Sequence, residues 1–402
     1  MRKKFLLILS FIVTFLITWI GCENDYPDSL FDPNYKGNPT PIISKVTPPD
    51  VGYAAVEEVI IEGQNFSPIP EDNYVYFGKY KVSVKNASTT KLVVTAPNVQ
   101  SDSLGIKVAV KGAIQYSNII KYKLLPAFIE FGDYTKLDDP YGIESDANGN
   151  LYVALSLGTT GKIEKITPTG VKSDYGTFTF SIANSLKFGP DGGLYLTRLI
   201  PIIYRIPPGG GAATTYVTLP SSGRAQDIDF DKDGNMWAVG NNQFVYKIKS
   251  DKSIKTYPFV ANLKGVKIFN DYLYVVGKDP DSKEKVWRAQ IKSNDELGSF
   301  EVYFDFASKY SSASYSIAIA NDGTIYVGTD GADNETIIAI NTDKSSAPLY
   351  SGFLKSKSYY LSWGSSSSLK YLFVSRRNDN PELRKIMKIY MAKDGAPYYG
   401  RK

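Results

Sequence analysis

The chain has 402 residues, with 46 Lys and Arg against 41 Asp and Glu and no histidine. At 43% hydrophobic and 13% aromatic it carries enough apolar material for one large core or two smaller ones, at about 100–200 residues per domain, and its composition is not that of a disordered chain. The missing histidine excludes Ser-His-Asp and Cys-His nucleophilic catalysis, His acid–base work and His-ligated zinc or iron; carboxylate, Tyr or Lys chemistry, oxygen-liganded cations such as calcium, and binding without chemistry remain.

The first predicted element is an export signal. Arg2, Lys3 and Lys4 precede an apolar or hydroxyl run from Phe5 to Ile20, then Gly21 and Cys22. That run is shorter than the roughly 20 residues a spanning helix needs, which makes it a secretory signal. Cys22 is the only cysteine, so no disulfide is expected, and it directly follows Gly21 at the end of the run. This arrangement resembles the lipobox of bacterial lipoproteins, with Trp19 where Leu is usual. The resemblance implies removal of residues 1–21, diacylation of Cys22 and acylation of its new amine. Two or three chains, at about 0.8 kcal/mol per buried CH₂, anchor stably where one does not.

Without Arg2, Lys3 and Lys4 the formal charge falls from +5 to +2 over the remaining 381 residues. A near-neutral chain offers no electrostatic footprint for nucleic acid. Residues 22–40 read as a solvated tether rich in acid and proline: Glu23, Asp25, Asp28 and Asp32 among Pro27, Pro33 and Pro39. The start, Glu23-Asn24-Asp25, resembles the acidic signal that sends lipoproteins of the Bacteroidetes to the outer cell surface. That implies a lipid-anchored protein of the outer membrane, facing the cell exterior.

Residues 41–125 alternate short strand-like runs with turn clusters: Val56 to Glu62, Tyr74 to Val84, Lys91 to Thr95, Ile106 to Lys111 and Asn118 to Lys123. Such period-2 alternation predicts an antiparallel sandwich. Gly63 and Gly78 suit turns needing positive φ, Asn65 suits a turn's backbone, and Phe66 and Phe77 are candidate core plugs. Thr47-Pro48-Pro49, Ile61-Glu62-Gly63-Gln64-Asn65-Phe66, Val75-Tyr76-Phe77-Gly78 and Leu92 to Pro97 resemble the IPT/TIG family of immunoglobulin-like domains. The resemblance implies a spacer.

Residues 127–402 repeat at intervals of about 43, the period of a four-stranded propeller blade. Six copies align. Their first strands carry Glu144, Lys187, Asp229, Lys267, Ala318 and Ser362 at one position, and their second strands read Leu151-Tyr152-Val153, Leu194-Tyr195-Leu196, Met236-Trp237-Ala238, Leu273-Tyr274-Val275, Ile325-Tyr326-Val327 and Leu372-Phe373-Val374. This resembles the NHL or gluconolactonase-like six-bladed propellers, so the chain is expected to be all-β, an immunoglobulin-like β-sandwich followed by a six-bladed β-propeller. Phe128 to Tyr134 precedes the first blade and is expected to supply the outer strand of the last, removing a sheet edge; Ala396 to Gly400 competes for that place.

No catalytic or metal set emerges. Asp229, Asp231, Asp233 and Gly234 open like a calcium loop, but Gly240 stands where its bidentate Glu belongs, so the turn reads as a hairpin. Lactonases of the resembled group hold a metal in the channel; two lysines and two carboxylates among the six channel positions make a poor divalent site. Trp237, Trp287 and Trp363 align with packing positions and are assigned to the core. No cofactor is expected.

The better site is the face where outer-to-inner and second-to-third strand loops converge. Those loops hold Gln226, Asn241, Lys278, Tyr310, Tyr315, Tyr359, Arg377 and Asn378 besides the residues chosen as ligand-binding: Tyr141, Arg198, Arg224, Asp227, Asn242, Tyr360 and Arg376. Flat apolar rings with forked donors and acceptors suit a polyhydroxylated ligand. Convergence of Arg198, Arg224 and Arg376 favours an anionic one such as a uronate. The expected function is therefore non-catalytic capture of a polysaccharide or oligosaccharide at the cell surface, with an outer-membrane transporter complex as partner. A carbohydrate hydrolase or lyase using carboxylates and Tyr, and an envelope protein-interaction scaffold, are the alternatives.

Overall fold

The computed structural model describes residues 36–401 except 221–222, 294, 333–334, 352, 355–356 and the side chain of Asn242. Cys22 and the acidic start of the tether lie outside the described residues.

The first domain is a two-sheet sandwich. Strands Ile42–Thr47, Glu58–Gln64, Lys91–Thr95 and Val84–Ala87 form one sheet. Val51–Tyr53, Ile120–Leu125, Ser101–Val110, Asn73–Phe77 and Tyr80–Val82 form the other. Alternation sets the faces: Val59 and Ile61 point inward against Val75, Phe77, Ile106, Val108 and Leu124, while Glu58 and Glu62 stay outside. The run from Tyr74 to Val84, expected as one strand, is broken at Gly78 (φ 61°) and its end crosses to the opposite sheet. Gly63 is needed for closeness instead of positive φ, because a Cβ there would stand 1.9 Å from the Ile42 carbonyl oxygen.

Six four-stranded blades follow around an axis. Blade 1 is Pro140–Ser145, Leu151–Ser156, Gly161–Ile166 and Lys172–Phe178; blade 2 is Ser185–Phe188, Leu194–Thr197, Ile202–Ile206 and Thr214–Thr218. Blade 3 has Asp227–Phe230, Met236–Val239 and Asn241–Ile248. Its outer strand is the start of Ile254–Phe269, which runs on as the inner strand of blade 4 beside Tyr272–Lys278, Glu284–Gln290 and Glu301–Phe304. Blade 5 is Ser314–Ile319, Ile325–Thr329, Ile337–Ile340 and Ser346–Pro348. Blade 6 is Lys357–Trp363, Tyr371–Arg377, Lys385–Tyr390 and, from the other end of the domain, Phe128–Phe131.

That last strand closes the ring. Phe128 pairs with Ile389 and Phe131 with Ile386, so the edge of blade 6 is covered by the chain that enters the propeller. The competing segment does something else: Ala396 to Arg401 crosses the axis. Trp237, Trp287 and Trp363 are 0, 6 and 6% exposed and pack between blades, as expected. The sandwich is held to blade 6 by tyrosines. Tyr53 stacks on Tyr390 with ring centroids 3.7 Å apart, and its hydroxyl shares a 2.9 Å hydrogen bond with that of Tyr371.

Candidate functional site

The inner strands line the channel, and their backbones hold a ring of side chains at each end. At the upper end, where each inner strand begins, the ladder to the second strand skips a residue in four blades. Pro140 and Ile143 are paired but Tyr141 is not; Leu263 and Gly265 are paired but Lys264 is not; Tyr315 and Tyr359 are passed over in the same way. These are β-bulges, which free a residue from the ladder and re-aim its side chain. In blades 2 and 3 the equivalent residues, Asn184 and Gln226, sit just before the inner strands.

Five of these six side chains touch one another. Tyr359 is the centre: its ring lies edge-on to Tyr141 (5.8 Å) and tilted on Tyr315 (5.5 Å), and its hydroxyl donates to Asn184 Oδ1 at 2.9 Å. Asn184 Nδ2 reaches Gln226 Oε1 at 3.3 Å. Behind Tyr141, the Arg377 guanidinium stacks at 3.8 Å, donates to its hydroxyl at 2.9 Å and is held by Asp139. Burial pushes the Tyr359 hydroxyl up to about 12 and raises that of Tyr141 against the pull of Arg377, so both remain donors at neutral pH. The result is a shallow platform of three tyrosine rings, two amides and a guanidinium, closing the channel mouth.

Directly beneath, Tyr360 and Ser185 both hydrogen-bond Asp227 Oδ1, at 2.7 and 2.6 Å, and Asp227 Oδ2 accepts from Val266 N. All three side chains are buried. Asp229 Oδ2 accepts in the same manner from Ile268 N at 2.8 Å. The two carboxylates thus satisfy backbone donors that face the axis from the edge of an inner strand.

The lower ring is charged. Lys187 and Glu144 pair at 2.6 Å, each almost fully buried, and Arg401 adds a second cation on Glu144 at 2.5 Å. Burial opposes ionisation of Glu144, but Lys187, Arg401 and Lys267 prevail and hold it down to about 2. Lys267 and Asp229 are a poorer pair: 3.9 Å apart, with Asp229 Oδ1 lacking a partner. Burial raises the Asp229 pKa and brings Lys267 down to about 8. Below them the segment from Gly395 to Arg401 seals the channel. Ala396 N bonds Ile319 O, Tyr398 OH bonds Phe188 O at 2.6 Å, and Arg401 bonds the carbonyls of Ser145 and Trp363.

The residues chosen from sequence therefore separate. Tyr141 belongs to the platform. Asp227 and Tyr360 are buried and hydrogen-bonded to each other. Arg198 lies over the Phe180 ring, and Arg224 is exposed in the turn ahead of blade 3. Arg376 does not converge with them: it bonds Leu383 O and Glu130, on the outermost strand of its own blade. The side chain of Asn242 lies outside the described residues. Asn184 and Lys264 were missed, although both stand three residues before the aligned channel position, the offset of Tyr141, Gln226, Tyr315 and Tyr359. The calcium-like turn is a hairpin in which Asp231 accepts from Asp233 N, Asn235 and Trp237 Nε1.

Fold and site together define an all-β protein in which an immunoglobulin-like sandwich carries a β-propeller. Residues 41–123 match the IPT/TIG domain family. No curated protein matches the chain in sequence. Among solved structures it is similar to a putative phosphatase of Bacteroides thetaiotaomicron, at 11% identity and TM-score 0.53, over 90% of this chain and 98% of that one. A protein of unknown function from the same organism gives 14% identity and TM-score 0.50, over 90 and 99%. An auxiliary nutrient binding protein of Bacteroides ovatus gives 12% identity and TM-score 0.48, over 89 and 99%. At these identities the likeness is one of fold.

Proposed function

We propose that the protein captures a glycan chain without transforming it, on the platform of Tyr141, Asn184, Gln226, Tyr315, Tyr359 and Arg377. One observation carries this reading: the same repeat position brings three bulged tyrosines, Tyr141, Tyr315 and Tyr359, together with the amides Asn184 and Gln226 at one mouth. Tyrosine rings offer flat apolar faces to pyranose carbons, and the amides and the guanidinium offer fixed donors and acceptors to hydroxyls. Carboxylates around the mouth are engaged: Asp227 by Tyr360 and Ser185, Asp139 by Arg377, and Glu284, whose pKa burial raises, by the Ser314 hydroxyl. Acyl chains on Cys22 anchor the protein in the outer membrane facing outward, the tether and sandwich hold the platform away from the bilayer, and an outer-membrane transporter complex receives the ligand.

Affinity electrophoresis against a panel of neutral and acidic polysaccharides tests the central claim. At least one glycan is expected to retard the wild type, and Tyr359→Ala and Tyr141→Ala are expected to migrate freely. No retardation by any glycan, or retardation unaffected by both substitutions, overturns it. Mass spectrometry of the mature protein checks the anchor by finding a triacylated or diacylated Cys22 at the N-terminus.

A further inference from the structure

At the lower rim, away from the platform, each second strand carries a large aromatic residue opposite a third-strand partner: Tyr152 with Lys165, Tyr195 with Arg205, Trp237 with Lys247. A tyrosine of the outer strand packs on the aromatic in each of these blades, namely Tyr175, Tyr216 and Tyr257. Each set faces the neighbouring blade across a groove, and the cation in each groove meets a different fate.

Between blades 3 and 4 the groove is filled by the chain itself. The loop after Glu284–Gln290 folds back so that the Asp295 carboxylate sits on Lys247 at 2.9 Å and on Lys249 at 2.5 Å. Its main-chain carbonyl accepts from Tyr257 OH at 2.6 Å and Lys255 Nζ at 2.7 Å. Between blades 2 and 3 the cation is neutralised within its own blade, since Arg205 is paired with Asp191 at 2.5 Å. Between blades 1 and 2 neither happens. Lys165 is in no ion pair among the described residues, and the groove beside it is open, about 480 Å³, bordered by Tyr152, Tyr175, Gly189, Gly192, Gly209 and Arg401.

The open groove repeats part of the filled one: Lys165 and Tyr175 stand where Lys247 and Tyr257 do, with Thr167 and Ser173 in place of Lys249 and Lys255. Blades 1 and 3 share the hairpin Asp-x-x-Gly-Asn-x-aromatic, Asp146 to Tyr152 and Asp231 to Trp237, so Lys165 and Lys247 hold equivalent places. Asp146 leaves Lys165 unpaired because its oxygens are used by Asn148 N, Asn150 and the Tyr152 hydroxyl, as Asp231 is used in blade 3. The turn that follows the third strand of blade 2 is short. Its Gly209 borders the groove and its Gly211–Ala212 runs along the outer strand of blade 1, so it brings no carboxylate to Lys165, where the longer loop of blade 4 brings Asp295 to Lys247.

We infer that the groove between blades 1 and 2 is a docking site for an acidic turn of a partner polypeptide, whose Asp or Glu carboxylate pairs with Lys165 as Asp295 pairs with Lys247. The filled groove supplies the template: a carboxylate on lysine with a main-chain carbonyl beside it. A charge-assisted pair in a half-buried groove gives specificity for the acid. The inference is independent of the platform, which lies at the other end of the channel.

A synthetic capped peptide of residues 291–298, Ile-Lys-Ser-Asn-Asp-Glu-Leu-Gly, serves as probe with the full chain in isothermal titration. Saturable binding is expected, weakened about tenfold by Lys165→Met, and about tenfold when the peptide's Asp is replaced by Asn. Lys249→Met, at the filled groove, is expected to leave binding unchanged. Absence of binding at millimolar peptide, equal binding to Lys165→Met, or loss of binding on Lys249→Met overturns the proposal. So does Lys165-dependent binding of a trigalacturonate when the peptide does not bind, which would assign the groove to an acidic sugar.

Discussion

The two ends of the central channel are made by the same six strands, three residues apart, and they are built on opposite principles. At the upper end the ladder is broken by bulges in four blades, and the side chains there are three tyrosines, two amides and a lysine, buried or half-buried, five of the six in contact. At the lower end the ladder is intact, and four of the six side chains are charged and lie against the segment from Gly395 to Arg401. A bulge gives up pairing to aim a side chain, which helps where something must be met from outside. A buried charge holds its place only when opposite charge and hydrogen bonds surround it. The lower end is therefore where the ring is locked, and the upper end is where the proposed platform lies.

The largest effect that tests this division belongs to Glu144→Gln. It keeps the shape but leaves Lys187 and Arg401 facing each other without their shared anion. Removing one partner of a buried pair typically costs about 3–5 kcal/mol, and thermal denaturation should show a loss of that order. The pH profile gives an independent reading. Because the folded-state pKa of Glu144 is held at about 2, below its ordinary 4.5, its contribution is fully present above pH 4.5 and is lost as pH falls from 4.5 toward 2. That segment of the acid-denaturation curve should flatten in Glu144→Gln. A variant as stable as wild type, with an unchanged acid limb, would show that the lower end is not the lock.

The neighbouring pair in the same ring sharpens the point by its weakness. Asp229 and Lys267 are 3.9 Å apart, and burial pushes both toward their neutral forms. Replacing both at once, Asp229→Asn with Lys267→Met, removes two poorly compensated charges and is expected to change stability by no more than about 1–2 kcal/mol, in either direction. Lys267 titrates at about 8 in the folded chain against 10.5 ordinarily. The folded state thus sheds this proton first, and the group's unfavourable contribution below pH 8 is relieved as pH rises from 8 to 10.5. The double variant should lose that alkaline rise. A loss as large as that of Glu144→Gln would mean the two pairs act as one network.

Much of this was legible in the sequence because repetition makes position meaningful. Six aligned copies place Glu144, Lys187, Asp229 and Lys267 in one ring and Tyr152, Tyr195 and Trp237 in another. The entering segment read as the closing strand because its place in the phasing left one outer strand unfilled. The platform was read only in part. Tyr141, Gln226, Tyr315 and Tyr359 stand out by chemistry, but a bulge leaves no trace in hydrophobic periodicity, so the residue chosen beside Tyr359 was its buried neighbour Tyr360. Asn184 and Lys264 are ordinary polar residues without the alignment offset. The role of Arg401 was illegible, since a segment that crosses the axis carries the same short apolar pattern as an outer strand, and only the register of Phe128 to Phe131 on Ile386 to Ile389 decides between them.

The smallest expected change in stability is at the upper end, from Tyr359→Phe. It removes one hydroxyl and one 2.9 Å bond to Asn184 while keeping the ring on Tyr141 and Tyr315. A single neutral hydrogen bond contributes about 0.5–1.5 kcal/mol, and water can replace this one at a half-buried mouth, so the melting temperature should stay close to wild type. Under the proposed function, retardation by a glycan should nevertheless weaken, because the hydroxyl fixes the Asn184 amide of the proposed platform and its loss leaves that amide to rotate. Binding that moves while stability stays, set against stability that collapses in Glu144→Gln, is the signature of two ends with separate tasks. Should Tyr359→Phe instead lower the melting temperature as far as Glu144→Gln, the platform would be a second lock, and the ligand would have to be sought on another surface.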